Sequence, residues 1–236
     1  MLWHKTLGDG PDLVLLHGWG FSSDIFNALV EKNKSKYRIT VIDLPGHGHS
    51  NDVEGGVDEW CQAIIQCLPE KTNILGSSLG GLLAMKIASI YPVNNLILVG
   101  ASPKLTNSDN WQHGMKQDTF MKFASDLEQD YAKTLRRFVS LQTKDKTLMR
   151  NIANGIEKLP PSTEALYQGL NILLQSDFRS LFNDLSAPKY AILGALDMLV
   201  PKSIEGWYQA HNTQTTLLRT GHLPFLDENF MLPRDI

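Results

Sequence analysis

Short apolar runs recur along the chain, and most are bounded by glycine, proline or charged residues. Each run is nearly continuously apolar, which is typical of strands buried on both faces of a parallel sheet. Between the first four runs, apolar positions recur with helical spacing. This alternation predicts an α/β fold, with a mostly parallel central sheet flanked by helices. The predicted strands lie at residues 13–16, 39–42, 73–75, 96–99, 190–193 and 215–218, and the helices between the first four at residues 24–32, 58–68 and 82–90.

The alternation stops in the middle of the chain, where the pattern becomes entirely helical. An all-helical insertion of this length is expected to form a cap over the C-terminal edge of the strands, where open α/β sheets bind ligands. We therefore predict a core of residues 1–103 and 186–236, and a helical cap of residues 104–185. Behind the last strand Pro233 shortens any closing helix, so the outer helical layer is expected to be thin there. The predicted cap helices lie at residues 127–142, 148–158 and 162–175.

The segment Gly76-Ser77-Ser78-Leu79-Gly80, which we call the elbow, lies where a predicted strand passes into a predicted helix. A serine at such a sharp turn is held clear of the hydrogen bonds of the sheet, and the glycines allow the neighbouring backbones to approach closely. The first amides of the new helix then point at whatever bonds to the serine oxygen. Ser78 is therefore the candidate nucleophile. Ser77, which lacks glycines two residues away on either side, is expected to fill the turn.

A serine hydroxyl is a weak nucleophile at neutral pH and needs a histidine base, which an acidic residue holds in the correct tautomer. In this architecture the acid and the histidine follow later strands, in that order. Asp197 follows the predicted strand at 190–193, and His222 follows the one at 215–218. The alternatives are an acid that caps a helix near Pro201 and a histidine on a surface loop. Because the three residues follow three predicted strands in the required order, we predict a triad of Ser78, His222 and Asp197.

The loop after the first predicted strand reads His17-Gly18-Trp19-Gly20, and we call it the oxyanion loop. Acyl transfer needs two N–H donors for the oxyanion of the tetrahedral intermediate, and this loop supplies one of them in related architectures. We predict that the donors are the backbone N–H groups of Trp19 and Leu79. The indole of Trp19 is expected to face the pocket, with core packing as the alternative. His17 is expected to be structural.

Other histidines and the cysteines predict no further chemistry. His47 and His49 are spaced like zinc ligands, but no third ligand or nearby cysteine accompanies them, so we predict no metal. Cys61 and Cys67 lie six residues apart on one predicted helix and point to different sides, which argues against a disulfide between them. No motif indicates a cofactor.

Composition narrows the class of protein. Hydrophobic residues make up 42% of the chain and charged residues 20%, which is ordinary for a globular protein. The net charge of −3 gives no electrostatic basis for binding nucleic acid. No apolar run approaches the roughly 18 residues that span a bilayer, and the first residues do not resemble a secretion signal. We therefore expect a cytosolic monomer that does not bind membranes.

These motifs together resemble the α/β-hydrolase family. The resemblance extends past the elbow to the oxyanion loop, to residues 43–50, to residues 194–197 and to Gly221-His222. Within the family, the chain is most similar to the carboxylesterases of biotin synthesis that hydrolyse the methyl ester of pimeloyl-[acyl-carrier protein]. The segments that carry this finer resemblance lie at residues 137–143, 169–173, 177–179 and 196–201, and the similarity covers nearly the whole chain.

The resemblance implies an acyl-enzyme mechanism and a set of substrate-binding residues. Phe138 falls on the same helical stripe as Leu135 and Gln142, so it can face the cleft, with packing within the cap as the alternative. A general short-chain carboxylesterase has the same catalytic residues, and a ligand-binding receptor with a silent triad is a candidate from another class. The implied substrate-binding residues are Trp19, Ser78, Leu79, Phe138, Val139, Ser140, Leu141, Gln142 and His222.

The resemblance also implies acyl carrier protein as the partner that bears the substrate. That carrier is acidic, so docking requires local positive charge on a chain whose net charge is negative. Basic residues are concentrated in the predicted cap, and the alternative is that they form a solvated helix face. The candidate carrier contacts are Lys133, Arg136, Arg137 and Arg150, with Lys144 and Lys146 nearby in the sequence.

Overall fold

The computed structural model describes residues 1–236, except for the side chains of Tyr131 and Ala132. Over this described chain, the centre of the fold is a seven-stranded sheet with the strand order β1-β3-β2-β4-β5-β6-β7. Strand β1 is antiparallel to β3, and every other neighbouring pair is parallel. The strands are β1 (His4–Leu7), β2 (Asp12–Leu16), β3 (Arg38–Ile42), β4 (Thr72–Ser77), β5 (Val93–Val99), β6 (Lys189–Gly194) and β7 (Thr213–Leu218).

Helices follow most of the strands, and a group of them lies between β5 and β6 in the chain. None of the helices in the described part of the chain is long and apolar enough to cross a membrane. Short 3₁₀ turns lie at Ser23–Phe26 and Pro224–Leu226. The α-helices are α1 (Asn27–Asn33), α2 (Val57–Ile65), α3 (Leu79–Ala88), α4 (Gln117–Gln129), α5 (Tyr131–Gln142), α6 (Lys146–Lys158), α7 (Thr163–Gln175), α8 (Arg179–Asn183) and α9 (Ile204–Ala210).

The predicted α/β architecture is confirmed, and all six predicted strands are present. Strand β1 was not predicted, because its sequence, His-Lys-Thr-Leu, is polar and mostly exposed. It is recruited by pairing with the edge of β3, where His4 lies opposite Ile42. The prediction that the last strand is buried was wrong. Strand β7 lies at the edge of the sheet, and its Leu217 is 39% exposed.

The single helix predicted at residues 127–142 was also wrong, since the structure has two helices there. Asp130 ends α4 with an extended backbone, at φ −151°, and its carboxylate accepts a hydrogen bond of 3.0 Å from the Lys133 N–H as the N-cap of α5. Helix α4 begins at Gln117, before the predicted start. Its buried side chains are Phe120 and Leu127, and most of its other residues are polar, so the segment has few apolar positions from which a helix could be predicted.

Close backbone packing around the elbow holds the turn between β4 and α3. The central strands β2, β4 and β5 are buried, and α3 is buried on nearly all sides. A Cβ on Gly76 would overlap the carbonyl oxygen of Gly80, and a Cβ on Gly80 would overlap the carbonyl oxygen of Leu16. The prediction that these glycines permit close backbone approach is confirmed, and it places Ser78 on a rigid part of the molecule.

Replacement of Gly80 by alanine is expected to destabilise the fold, because the overlapping atom belongs to the backbone of β2 and cannot rotate away. Overpacking of this kind costs about 1–3 kcal/mol of unfolding free energy. Gly155→Ala in α6 is the matched control, since no heavy atom lies within 4 Å of its added Cβ. This control should gain about 0.5–1 kcal/mol from helix propensity. Urea unfolding followed by circular dichroism measures both changes, and equal midpoints for the two variants would contradict the packing argument.

Candidate active site

Ser78 lies at the turn from β4 into α3 with φ 52° and ψ −115°, a conformation rare for residues other than glycine. Its N–H donates to the carbonyl of Val99 at 3.0 Å, and its own carbonyl accepts from Gly81 and Leu82 at 2.9 and 3.1 Å. Such a backbone costs about 1–3 kcal/mol and persists only where the surroundings impose it. The turn directs Ser78, which is half-buried, out of the sheet, whereas Ser77 is buried.

His222 and Asp197 form a buried pair. The His222 Nδ1 atom lies 2.8 Å from the Asp197 Oδ2 atom, and both side chains are 1% exposed. The other carboxylate oxygen of Asp197 accepts from the N–H groups of Leu199 and Val200 at 2.7 and 3.0 Å. A carboxylate at Nδ1 favours the proton on that nitrogen and leaves Nε2 as a proton acceptor. Both of these donors precede α9, which begins at Ile204, so the Asp197 side chain does not cap that helix.

The C-terminal end of β5 brings the serine and histidine loops together. The Ser78 N–H is bonded to Val99, the last residue of β5, and the next residue, Gly100, lies against the His222 ring. A Cβ on Gly100 would lie 3.4 Å from the His222 Nδ1 atom. Gly100 has φ +52°, which favours glycine at this close approach. Ser78, Asp197 and His222 follow β4, β6 and β7, so all three lie at the C-terminal edge of the sheet.

The oxyanion loop packs directly against the elbow. A Cβ on Gly18 would lie 3.3 Å from the Ser78 Cβ atom. Trp19 and Leu79 are buried, and no acceptor among the described residues takes a hydrogen bond from the backbone N–H of either. Buried N–H groups are nearly always paired, so two unpaired ones beside a serine are suited to an anionic oxygen.

Burial keeps two histidines neutral here: His17, which is part of the oxyanion loop, and His47, which lies next to it. It lowers the pKa of His17 to about 4 and the pKa of His47 to about 3, where the nearby His17 adds to the effect of burial. Within the loop region, the His17 Nε2 atom accepts the Leu44 N–H at 3.0 Å. His49, the other residue considered as a zinc ligand, packs its ring against Trp3 with centroids 5.5 Å apart.

An apolar cavity of about 50 Å³ opens beside Ser78. The Trp19 ring lies edge-on to Phe138 with centroids 4.9 Å apart, and its indole N–H donates to the Leu166 carbonyl at 2.8 Å. Trp19 thus both lines the cavity and fastens the oxyanion loop to α7. Phe138 also packs on Phe21, at 5.4 Å, so it joins α5 to the core. The lining residues are Trp19, Ser78, Leu105, Met115, Phe120, Phe123, Phe138, Leu141, Leu170, Leu173 and Leu199.

Most of this lining is not predictable from the sequence pattern. Phe120 and Phe123, one helical turn apart, were the available signal, but the predicted helix began too late to include them. The others lie on loops and on α7, where nothing in a single sequence indicates which side faces a cavity. The missed residues are Leu105, Met115, Phe120, Phe123, Leu170, Leu173 and Leu199.

The remaining predicted substrate residues occupy different surroundings. Val139 is buried and borders neither this cavity nor the open groove of about 490 Å³ next to it. Ser140, Leu141 and Gln142 line that groove, and Leu141 borders both spaces. The Gln142 carbonyl accepts the His222 N–H at 3.0 Å. Helix α5 is therefore bonded directly to the histidine loop.

The candidate carrier contacts are all exposed. Helix α5 carries Lys133, Arg136 and Arg137 and no acidic residue. Arg137 donates to the Asp126 carboxylate at 3.1 Å, while Arg150 lies on α6, the next helix along the chain. The exposed face of α5 and α6 is therefore mainly basic.

Comparison with known proteins relates the whole chain to one family. Residues 13–230 match the model of the alpha/beta hydrolase family. A pimeloyl-[acyl-carrier protein] methyl ester esterase from Nitrosomonas europaea is 35% identical over 233 residues, which cover 94% of this chain and 92% of the relative. A protein of the same name from Shewanella woodyi is also 35% identical, over 94% of this chain and 91% of the relative.

Solved structures share the fold at lower sequence identity. An esterase from Exiguobacterium antarcticum superposes with a TM-score of 0.87 at 23% identity, over 96% of this chain and 90% of its own. A bromoperoxidase from Bacillus anthracis superposes with a TM-score of 0.84 at 20% identity, over 94% of this chain and 88% of its own. The differing names of these proteins show that the fold alone does not determine the reaction.

Replacing Ser78 by glycine is expected to stabilise the protein relative to Ser78→Ala. Both variants lack the hydroxyl, so their difference isolates the backbone cost of φ 52° in a residue with a Cβ. Glycine adopts this conformation without strain, and the expected gain is about 1 kcal/mol in unfolding free energy. Urea unfolding measures it. An alanine variant as stable as the glycine variant would show that the turn is not strained.

Acid is expected to destabilise the protein partly through His17. Its pKa falls from 6.5 in the unfolded chain to about 4 in the folded one, so the folded state resists protonation and loses stability as pH falls below 6.5. At pH 5 this loss is roughly 2 kcal/mol relative to pH 8. His17→Gln should show a correspondingly shallower decline in urea unfolding between these pH values. His4 is exposed, so His4→Gln is the control. If the unfolding free energies of the wild-type, His17→Gln and His4→Gln proteins decline in parallel as the pH falls, His17 is not a source of the acid sensitivity.

Proposed function

This chain belongs to the alpha/beta hydrolase family, and from that premise we propose that it is a carboxylesterase that hydrolyses the methyl ester of pimeloyl-[acyl-carrier protein]. The observation that carries the proposal is the similarity to esterases of that name, which at 35% identity covers 94% of the chain and therefore includes the cap. The buried Asp197–His222 pair beside a strained serine supplies the chemistry that such an esterase needs.

The proposed reaction proceeds in two acyl-transfer steps. The Ser78 Oγ atom attacks the ester carbonyl while His222 Nε2 takes its proton, and Asp197 stabilises the resulting imidazolium. The carbonyl electrons form an oxyanion bound by the N–H groups of Trp19 and Leu79, each worth about 3 kcal/mol. The oxyanion collapses, and methanol leaves with the proton from His222. Water, deprotonated by His222, then attacks the acyl-enzyme and releases the carboxylate and free Ser78.

The apolar cavity supports a substrate whose reacting end is uncharged. Its lining contains no charged side chain among the described residues, and Phe138 and Leu141 from α5 form part of it. Methylene groups that enter such surroundings gain roughly 0.8 kcal/mol each. A methyl ester at the end of an alkyl chain fits this chemistry.

The basic face of α5 and α6 supports recognition of an acidic carrier. Lys133 and Arg136 on α5 and Arg150 on α6 are exposed, whereas Phe138 on α5 is buried. An opposite charge on the partner would speed its approach and align it on the cap. The carrier would then lie close to the entrance used by its acyl chain.

A general short-chain carboxylesterase is the second candidate. The cavity of about 50 Å³ beside Ser78 favours it, because so small a space admits a short acyl group without rearrangement. This enzyme would use the same catalytic residues, so only the choice of substrate separates the two functions.

Ser78→Ala is expected to abolish hydrolysis of both pimeloyl-carrier methyl ester and p-nitrophenyl butyrate, with a decrease in kcat of at least about 10⁴-fold, since removal of a triad nucleophile leaves only binding and the oxyanion hole. The release of methanol and of p-nitrophenol measures the two reactions. Thermal unfolding is the control for folding. A folded Ser78→Ala protein with wild-type turnover would refute the mechanism.

Arg150→Glu is expected to raise the KM for the carrier-bound methyl ester about tenfold while leaving kcat/KM for p-nitrophenyl butyrate unchanged, because only the carrier contacts the outer face. Lys71→Glu is the matched control: Lys71 is exposed and precedes β4, at the edge of the sheet opposite the elbow. If Arg150→Glu changes neither substrate, or if free esters are hydrolysed better than the carrier-bound ester, the short-chain alternative is favoured.

A further inference from the structure

Two buried imidazoles hold the backbone on either side of Trp19. The His17 Nδ1 atom lies 2.8 Å from the Gly18 carbonyl oxygen, in the peptide group that precedes Trp19. The Gly20 N–H, in the peptide group that follows Trp19, donates to the His47 Nε2 atom at 3.3 Å. Both rings are 0% exposed, and their centroids are 5.3 Å apart.

These two bonds restrain the direction of the Trp19 N–H, and the Phe21 N–H adds a longer bond of 3.4 Å to the same Gly18 carbonyl. A trans peptide group is planar, with its C=O and N–H pointing in opposite directions. The bond from His17 therefore aims the N–H of the Gly18–Trp19 peptide away from His17. The bond to His47 holds the next peptide plane, so that both backbone dihedrals of Trp19 are restrained. Without His47, the indole bond to the Leu166 carbonyl would still hold the Trp19 side chain, but the peptide plane after Trp19 would lose its acceptor.

His47 is itself firmly placed and has the correct tautomer. Its Nδ1 atom lies 2.8 Å from the Pro45 carbonyl oxygen, which requires the proton on Nδ1 and leaves Nε2 as the acceptor. The surrounding loop is fixed by Asp43, whose carboxylate accepts from the Ser23 and His49 N–H groups at 2.7 and 2.9 Å. The ring is also packed edge-on to Trp60, with centroids 6.1 Å apart.

We propose that His47 is a positioning residue of the oxyanion hole, which acts through the Gly20 N–H to hold the Trp19 N–H in the direction of the developing oxyanion. This role rests on the proposed esterase function. His47 does not contact the reacting atoms. The ring contributes a fixed acceptor on a rigid loop, and its effect on catalysis passes entirely through the backbone of residues 18–20.

The test compares three substitutions that keep different parts of the imidazole. His47→Ala removes both hydrogen bonds. His47→Asn retains a short amide that can donate to the Pro45 carbonyl but cannot reach Gly20. His47→Gln places an amide oxygen near the position of Nε2 and can accept the Gly20 N–H again. With p-nitrophenyl butyrate as substrate, we expect the alanine and asparagine variants to lose about 10- to 100-fold in kcat with little change in KM, and the glutamine variant to recover most of the loss.

A second measurement separates positioning from folding. An alkyl trifluoromethyl ketone forms a covalent tetrahedral oxyanion with the nucleophilic serine, whereas the corresponding methyl ketone binds mainly as a ground-state analogue. The inhibition constant of the trifluoromethyl ketone should rise in the alanine and asparagine variants by about the same factor as kcat falls, while that of the methyl ketone stays constant. Because inhibition constants are measured on the active fraction, partial unfolding does not alter them.

The possible results distinguish this proposal from the proposed function. If the wild-type protein hydrolyses no ester, the esterase function itself fails. If it does, but the His47 variants lose only thermal stability and bind both ketones with wild-type constants, His47 serves the fold alone and the positioning role is wrong. A loss that glutamine does not rescue more than asparagine does would also overturn it.

Discussion

The reversed backbone of Ser78 is the constraint on which the rest of the site depends. Three hydrogen bonds, one to the end of β5 and two from the first turn of α3, hold this residue at φ 52°. The same turn directs the side chain out of the sheet and leaves the Leu79 N–H without an acceptor among the described residues. This turn is possible only because Gly76 and Gly80 have no Cβ atom. A Cβ at either position would overlap the backbone of α3 or β2. The closely packed core around the turn therefore holds Ser78 in a backbone conformation that a serine would not adopt by itself.

Backbone contacts of this turn also position the neighbouring loop that carries His222. The end of β5, which binds the Ser78 N–H, continues into Gly100, against which the His222 ring lies. Two hydrogen bonds attach helices α7 and α5 to the loops at this edge of the sheet: the Trp19 indole donates to the Leu166 carbonyl of α7, and the His222 N–H donates to the Gln142 carbonyl of α5. A displacement of α5 or α7 would therefore disturb a hydrogen bond to a loop that carries Trp19 or His222.

Local sequence patterns predicted those features that depend on local physics. The apolar runs of β2 to β6 are long enough and buried enough to be recognised, and the glycines of the elbow belong to a short strand–turn–helix pattern, although the contact that requires Gly80 is made by Leu16 of β2. The order of Asp197 and His222 after later strands follows from the topology of the fold. Strand β1 could not be found this way, since its polar residues form a strand only because the β3 edge is available. The exposure of β7 was missed because two leucines at the end of a threonine-rich segment resemble the end of a buried run. The cavity lining was missed because it combines side chains from loops and from three cap helices, and their common direction is a property of the packed cap.

The two faces of α5 show why the reaction is easier to infer than the substrate. On the inner face, Phe138 packs against Trp19 and Phe21, so this face is tied to the oxyanion loop and to the chemical step. On the outer face, Lys133 and Arg136 are in solvent, where a substitution changes the long-range attraction of a partner and leaves the core packing intact. Ser78, His222 and Asp197 are held by backbone strain, burial and close backbone contact. These constraints require particular residues, such as the glycines of the elbow, which can be recognised in the sequence. Recognition of a carrier requires only that like charges recur on one side of a helix, a pattern that solvated helices also adopt. The outer face of α5 is therefore weakly constrained by the fold, whereas its inner face is fixed by its contacts with Trp19 and Phe21.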